Sequence, residues 1–153
     1  MPDTGDMAPD FTLPRDGGGS ITLSALRPGK VVVYFYPKDD TPGCTTEALD
    51  FTARRAEFEA AGVTVIGLSK DSPASHDKFC RKHGLGIVLA SDENGTTCED
   101  YGVWGEKSMY GKTFMGITRA TFLVDGEGRI ARVWPKVKVA GHADEVLEAA
   151  RAL

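Results

Sequence analysis

The sequence predicts an α/β fold, a central mixed β-sheet flanked by helices with an N-terminal β-hairpin. Three observations predict it. Val31 to Tyr36 is an unbroken apolar, β-branched and aromatic run, the pattern of a strand buried on both faces of a sheet. A helical stretch and a second apolar run, Val63 to Leu68, follow it and make a βαβ unit with parallel strands. Ala120 to Val124 and Arg129 to Trp134 then flank Asp125-Gly-Glu-Gly128, a hairpin signal that adds antiparallel strands.

Each element has its own signal. Asp10 to Pro14 and Ser20 to Leu23, around Gly17-Gly-Gly19, read as the N-terminal hairpin. Pro37 stops the first long strand, and the loop Lys38 to Gly43 leads into Cys44 to Ala61. That segment lacks Pro and Gly and carries Ala48, Phe51 and Phe58 at spacings of three and seven, so it reads as one helix closed by Gly62. Asp71-Ser72-Pro73 combines N-cap residues with an early helical Pro and opens a helix to His83, closed by Gly84, which carries Cys80. Ile87 to Ala90 reads as a short strand and Thr97 to Tyr101 as a helical turn. Gly102 to Gly116 reads as the longest irregular loop, and His142 to Leu153 as a final amphipathic helix. The order β-α-β then β-β-α implies helices on both faces of the sheet, a thioredoxin-like layout. No repeat or linker interrupts residues 1–153, which read as a single domain.

Composition narrows the function classes. Eighteen basic against 22 acidic residues give a net charge of −4, without the basic excess that nucleic acid or an anionic membrane demands. The longest apolar run is far short of the roughly 20 residues that span a bilayer. Met1 to Phe11 has three Asp and neither a basic nor an apolar signal region, so a cytoplasmic, reducing setting is the expectation. Three cysteines there are too few for a disulfide scaffold, and each is weighed for chemistry.

Cys44 follows a buried strand and a tight loop and opens a helix, where free N–H groups and the helix dipole favour a thiolate. The bland alternative, a cysteine packed as a small hydrophobe, fits poorly beside Thr41, Thr45 and Glu47.

Phe35-Tyr36-Pro37-Lys-Asp-Asp-Thr41-Pro-Gly43-Cys44-Thr45 resembles the active-site segment of peroxiredoxins, with their Pro-x-x-x-Thr-x-x-Cys core. Its flanks are similar to those of the bacterioferritin comigratory protein, or peroxiredoxin Q, subfamily. Ala8-Pro9-Asp10-Phe11, Tyr101-Gly102-Val103-Trp104 and Gly116-Ile-Thr-Arg119-Ala-Thr-Phe122 extend the likeness over residues 8 to 134.

The resemblance implies a peroxidase in which Cys44 attacks the peroxide and becomes sulfenic acid. It further implies that Thr41 hydrogen-bonds the peroxide, Pro37 shields the site from water, Arg119 lies against the thiolate, and Glu47 orients Arg119. Read without it, Arg119 is a solvated strand-end charge and Glu47 a first-turn carboxylate. Many members place a resolving cysteine five residues after the first, where this chain has Leu49. Others place it on the next helix, where Cys80 stands 36 residues on. Core packing is the alternative for Cys80. Cys98 matches no family role and reads as a bystander, with a resolving role as its alternative.

Magnitudes say where the catalysis lies. An ordinary thiol with a pKa of about 8.5 is a few per cent thiolate at pH 7, and lowering it by about 2.5 units gains roughly thirtyfold. Lost basicity returns roughly tenfold of that. Most acceleration must therefore come from aligned donors and stabilised charge on the departing oxygen.

The expected substrates are hydrogen peroxide and organic hydroperoxides, with thioredoxin or a similar dithiol as reductant, no metal or organic cofactor, and a monomer favoured over a dimer. A redox sensor or relay that passes oxidation from Cys44 to a partner protein is the alternative of another class. A disulfide reductase is disfavoured because no Cys-x-x-Cys is present. Gly105 to Thr113 imitates a phosphate loop with the wrong spacing, and His76, His83 and His142 form no zinc pair and read as surface or capping residues. Trp104, Tyr110 and Phe114 read as a collar for an alkyl group or as packing.

Overall fold

The computed structural model describes residues 1–153. Its centre is a five-stranded sheet in the order β5-β4-β3-β8-β9. Strand β3 (Lys30–Phe35) pairs in parallel with β4 (Val63–Ser69), and β4 with β5 (Val88–Ser91). On its other side β3 runs antiparallel to β8 (Ala120–Val124), which pairs with β9 (Ile130–Trp134). The N-terminal hairpin is β1 (Thr12–Pro14) with β2 (Ser20–Thr22), followed by a 3-10 turn, Leu23–Leu26.

Alternation along β3 sorts its side chains between two cores. Val31, Val33 and Phe35 point to one side, where Phe11, Leu13, Tyr101 and Phe122 close the core. Val32 and Tyr34 point to the other, with Tyr36 just beyond the strand, where they meet Phe51, Phe58, Phe79 and Val146. Helices α1 (Pro42–Ala53), α2 (Arg55–Ala60), α3 (Pro73–His83) and α5 (His142–Arg151) all pack on that second side. The short α4 (Thr97–Asp100), the N-terminal segments and Val103, Trp104 and Ile117 cover the first. Helices thus stand on both faces of the sheet, as expected, though in unequal number.

Two expectations are corrected. The single helix expected from Cys44 to Ala61 is two, broken at Arg54 (φ −104°, ψ 10°), and it starts two residues earlier at Pro42. At the break the Arg54 N–H donates to the Phe51 carbonyl, while its guanidinium meets the Asp50 carbonyl and Asp144 on α5. Gly102 to Gly116 is not irregular either. It contains β6 (Trp104–Met109), paired antiparallel to β7 (Lys112–Ile117). Tyr110 and Gly111 both have positive φ, 53° and 77°, as a two-residue turn with the mirror-image twist requires. No helix is long and apolar enough to cross a membrane.

Candidate active site

The site is built at the carboxyl end of β3. Tyr36 still bonds to the sheet through its N–H to the Leu68 carbonyl, and Pro37 then turns the chain out. Thr41 occupies the N-cap of α1 with extended backbone, φ −91° and ψ 155°, and Pro42 takes the first helical position, where its missing N–H costs nothing. The first helical bond runs from Thr45 N–H to the Thr41 carbonyl. The Thr41 hydroxyl does not cap the helix but donates to the Lys38 carbonyl at 2.8 Å. The N–H groups of Gly43 and Cys44 therefore remain directed at whatever lies before the helix.

What lies there is Arg119, on the link between β7 and β8. Its Nη2 is 3.3 Å from Cys44 Sγ, and its Nη1 donates to Glu47 Oε1 at 2.7 Å. Glu47 follows Cys44 by three residues, so both side chains share one face of α1 and one guanidinium can meet both. Gly43 is part of the fit, because a Cβ there would stand 3.3 Å from Arg119 Nη2. Cys44 is 2% exposed and Glu47 1%. Burial pushes the Glu47 carboxyl up to about 7, against the opposing pull of the Arg119 charge. Burial acts on Arg119 in the opposite sense, yet the charges of Glu47 and Cys44 hold its basicity above the ordinary value. The guanidinium is a fixed positive charge aimed at the sulfur.

An open cleft of about 490 Å³ ends on Pro37, which is exposed. Trp104, Phe114 and Ile117 give it an apolar wall. Tyr110 is not part of that wall; it stands at the hairpin tip, 97% exposed.

All three thiols are free, but their surroundings differ. Cys80 is half-buried on α3, packs against the same core as Cys44, and faces Asp16, Gly17 and Asp77. Burial, then Asp16, push its thiol up to about 12. Cys98 lies in the other core, across the sheet, where burial and then Asp92 raise it further still. The expected site residues Cys44, Arg119 and Glu47 thus come together, Thr41 and Pro37 frame them, and Cys80 stands apart on its own helix.

The surface reading of the histidines fails for two of the three, His83 being bonded to exposed Asp40. His76 is wholly buried and bonded to Asp39, and His142, also buried, meets the Thr121 hydroxyl at 2.8 Å and is held down to about 4 by desolvation. Sequence reasoning singled out neither Asp39 nor a buried role for His76, and no local pattern links two residues 37 apart.

A thiol at a helix start on a thioredoxin-like sheet, held against a fixed arginine, defines a thiol-based redox enzyme. The model of the AhpC/TSA family matches residues 4–133. A putative peroxiredoxin bcp from Coxiella burnetii is 51% identical over 145 residues, covering 95% of this chain and 96% of that one. Xanthomonas campestris peroxiredoxin Q superposes with a TM-score of 0.88 at 51% identity, over 93% of this chain and 90% of that one. Structures of the bacterioferritin comigratory protein of the same organism, concerned with its alkyl peroxide reduction activity, align with a TM-score of 0.88 at 49% identity over the same shares. The chain belongs to the AhpC/TSA family. Within it, its activity is that of the peroxiredoxins, thiol-dependent reduction of peroxides.

Proposed function

We propose that Cys44 is the peroxidatic cysteine of this peroxidase and that Cys80 resolves it. One contact carries the reading: Arg119 Nη2 at 3.3 Å from Cys44 Sγ, with the same guanidinium anchored on Glu47. A sulfur anion attacks the terminal peroxide oxygen in line with the O–O bond. An S–O bond forms, the O–O bond breaks, and the sulfur loses two electrons. The departing oxygen takes up a proton and leaves as alcohol or water. Arg119 and the N–H groups of Gly43 and Cys44 stabilise the charge on that oxygen as it develops.

Thr41 already donates to Lys38, so its oxygen is free to accept from the peroxide O–H and fix which oxygen faces the sulfur. Pro37 brings no N–H to the mouth of the site, so its backbone offers water no donor there. The apolar wall at Trp104 and Phe114 suits an alkyl hydroperoxide as well as hydrogen peroxide, in keeping with the alkyl peroxide activity of the Xanthomonas relative.

The Cys80 thiolate then attacks the sulfenic sulfur. An S–S bond forms, the S–O bond breaks, and hydroxide leaves with the thiol proton as water. Thioredoxin or a similar dithiol reduces that bond by exchange. A single domain that carries both thiols of the scheme fits a monomer, and a cysteine count too low and odd for a disulfide scaffold fits the reducing cytoplasm.

Stopped-flow mixing of reduced protein with peroxide, followed by disulfide mapping, tests the assignment. Cys44→Ser is expected to consume no peroxide while keeping its fold. Wild-type turnover in that variant would overturn the role of Cys44.

A further inference from the structure

The loop that leads into the helix of Cys44 and the helix that carries Cys80 are tied together by side chains the peroxidatic step does not use. Asp39, buried in that loop, accepts from the Tyr36 hydroxyl at 2.5 Å. Its second oxygen accepts from Ser75 Oγ at 2.8 Å and meets His76 Nδ1 at 2.7 Å, both from the first turn of α3. His76 Nε2 lies 2.9 Å from the Ala90 carbonyl, which only accepts, so Nε2 carries a hydrogen. The 2.7 Å contact of Nδ1 with Asp39 Oδ2 then holds one hydrogen between the two side chains. Burial lowers the basicity of His76, but Asp39 outweighs it and raises it. The contact is therefore a buried, hydrogen-bonded His–Asp pair.

The next residue repeats the tie at the other end of the helix. Asp40, in left-handed backbone at φ 58°, accepts from Lys82 Nζ at 2.6 Å and from His83 Nε2 at 2.8 Å. Asp39 and Asp40 thus hold the first and last turns of α3, with Cys80 between them. Little else does. The fully buried residues of α3 are His76 and Phe79, so one phenyl ring supplies most of its apolar anchorage. Such a helix belongs to the low-stability end of a fold, able to open while the sheet stays intact.

The arrangement also resembles a cation site, since ligand atoms of Asp39, Asp71 and His76 lie within 4.8 Å of one another. The partners argue against it. Asp71 Oδ2 already accepts from Ser69 Oγ and from Asp39 N–H, and both ring nitrogens of His76 are engaged.

Cys44 addresses Arg119, whereas Cys80 addresses Asp16 and the Gly17 turn. A disulfide needs Cα atoms within about 7 Å and converging Cβ vectors, so one thiol must leave its surroundings. We propose that Asp39 and His76, seconded by Asp40 with Lys82 and His83, form a latch whose opening sets the rate at which Cys80 reaches oxidised Cys44. His76 is then a positioning residue for the resolving step. The proposal rests on the reading of Cys80 as the resolving thiol.

Rapid mixing with equimolar hydrogen peroxide separates the steps: peroxide loss reads the first, and the acid-quenched, mapped disulfide reads the second. His76→Leu removes both ring nitrogens and is expected to speed the second step about tenfold, the worth of one charge-assisted bond. It should leave the first step within about twofold, because His76 touches neither Cys44 nor Arg119. His76→Asn, whose amide nitrogen can stand in for Nδ1, should return the second step to within about threefold of wild type. Asp40→Asn tolerates the left-handed backbone, removes only the exposed tie, and should speed closure about two- to threefold even if His76→Leu fails to fold. An unchanged or slower second step in the folded variants, with a Cys44–Cys80 bond still mapped, overturns the latch alone. A Cys44–Cys98 bond in the wild type overturns the resolving role of Cys80 and the latch with it.

Discussion

The two thiols on the helical side of the sheet are held in opposite ways. Cys44 stands at a helix start with a guanidinium 3.3 Å from its sulfur, on a helix that also buries Glu47, Ala48 and Phe51. Cys80 stands in the last turns of a helix anchored by His76 and Phe79, with acidic neighbours and burial that hold its thiol up to about 12. One thiol faces a fixed cation in the folded protein; the other is kept protonated there. A sulfur that must meet peroxide gains from fixed charge, while one that must act second gains from being silent until its helix moves.

The sharpest way to break this contrast is to take the charge from Cys44. Arg119→Met keeps an unbranched apolar stem and removes the guanidinium with its donors. Peroxide consumption in the first step should fall by at least about 100-fold, the usual cost of deleting one donor to developing charge. The loss should exceed anything a changed thiolate fraction explains, so raising the pH should not restore it. A rate within about twofold of wild type, with thermal stability preserved, would remove Arg119 from the mechanism.

A smaller effect tests the anchor of that arginine. Glu47 has its pKa raised by the fold from an ordinary 4.5 to about 7, so the folded chain holds a proton that the unfolded chain releases between those values. Its share of stability is complete below about 4.5 and is lost as pH rises through about 7. Measured against Glu47→Gln, which cannot titrate, the wild type should lose at most about 3 kcal/mol across that window. Denaturant unfolding at several pH values reads the difference directly. A flat difference would mean that Glu47 ionises as an exposed carboxylate does, and that Arg119 is braced by something else.

How far the site can be read from the chain follows from how local each part is. Cys44 at a helix start was legible because Val31 to Tyr36, Pro37 and Pro42-Gly43 are neighbours in sequence and each has an intrinsic preference. The start and stop of α3 were legible for the same reason: Ser72 caps it by accepting from Ser75 N–H, and Gly84 closes it at φ 62°. Arg119 and Glu47 are 72 residues apart, and only likeness to a family joined them before the fold did. No Pro or Gly marks the break at Arg54, and the Asp144 that its guanidinium meets is 90 residues away. The β6–β7 hairpin escaped because its strands, mostly exposed, lack a clean alternation of apolar and polar residues and its turn is Tyr-Gly, not the commoner Asn-Gly. The buried histidines escaped because a histidine shows its partner only in three dimensions.

The smallest expected effect concerns the third thiol, and it sharpens the comparison by exclusion. Cys98 is fully buried in the core on the opposite side of the sheet from Cys44, packed with Tyr101, Val103 and Phe122. To reach Cys44 it would have to pass the five-stranded sheet, whereas Cys80 need only leave one weakly anchored helix. Cys98→Ser should therefore leave both peroxide consumption and recycling within about twofold of wild type. The change is tolerable in place, because the Asp92 carboxylate beside the thiol already receives the N–H groups of Thr97 and Cys98 and can accept from a serine hydroxyl too. A stability loss of about 1 kcal/mol is expected for setting a hydroxyl in that core with one partner. If the variant instead kept the first oxidation but failed to recycle, Cys98 would be the resolving thiol. The sheet would then have to open during turnover, and the contrast between a thiol facing a cation and a silenced one would belong to a different pair of cysteines.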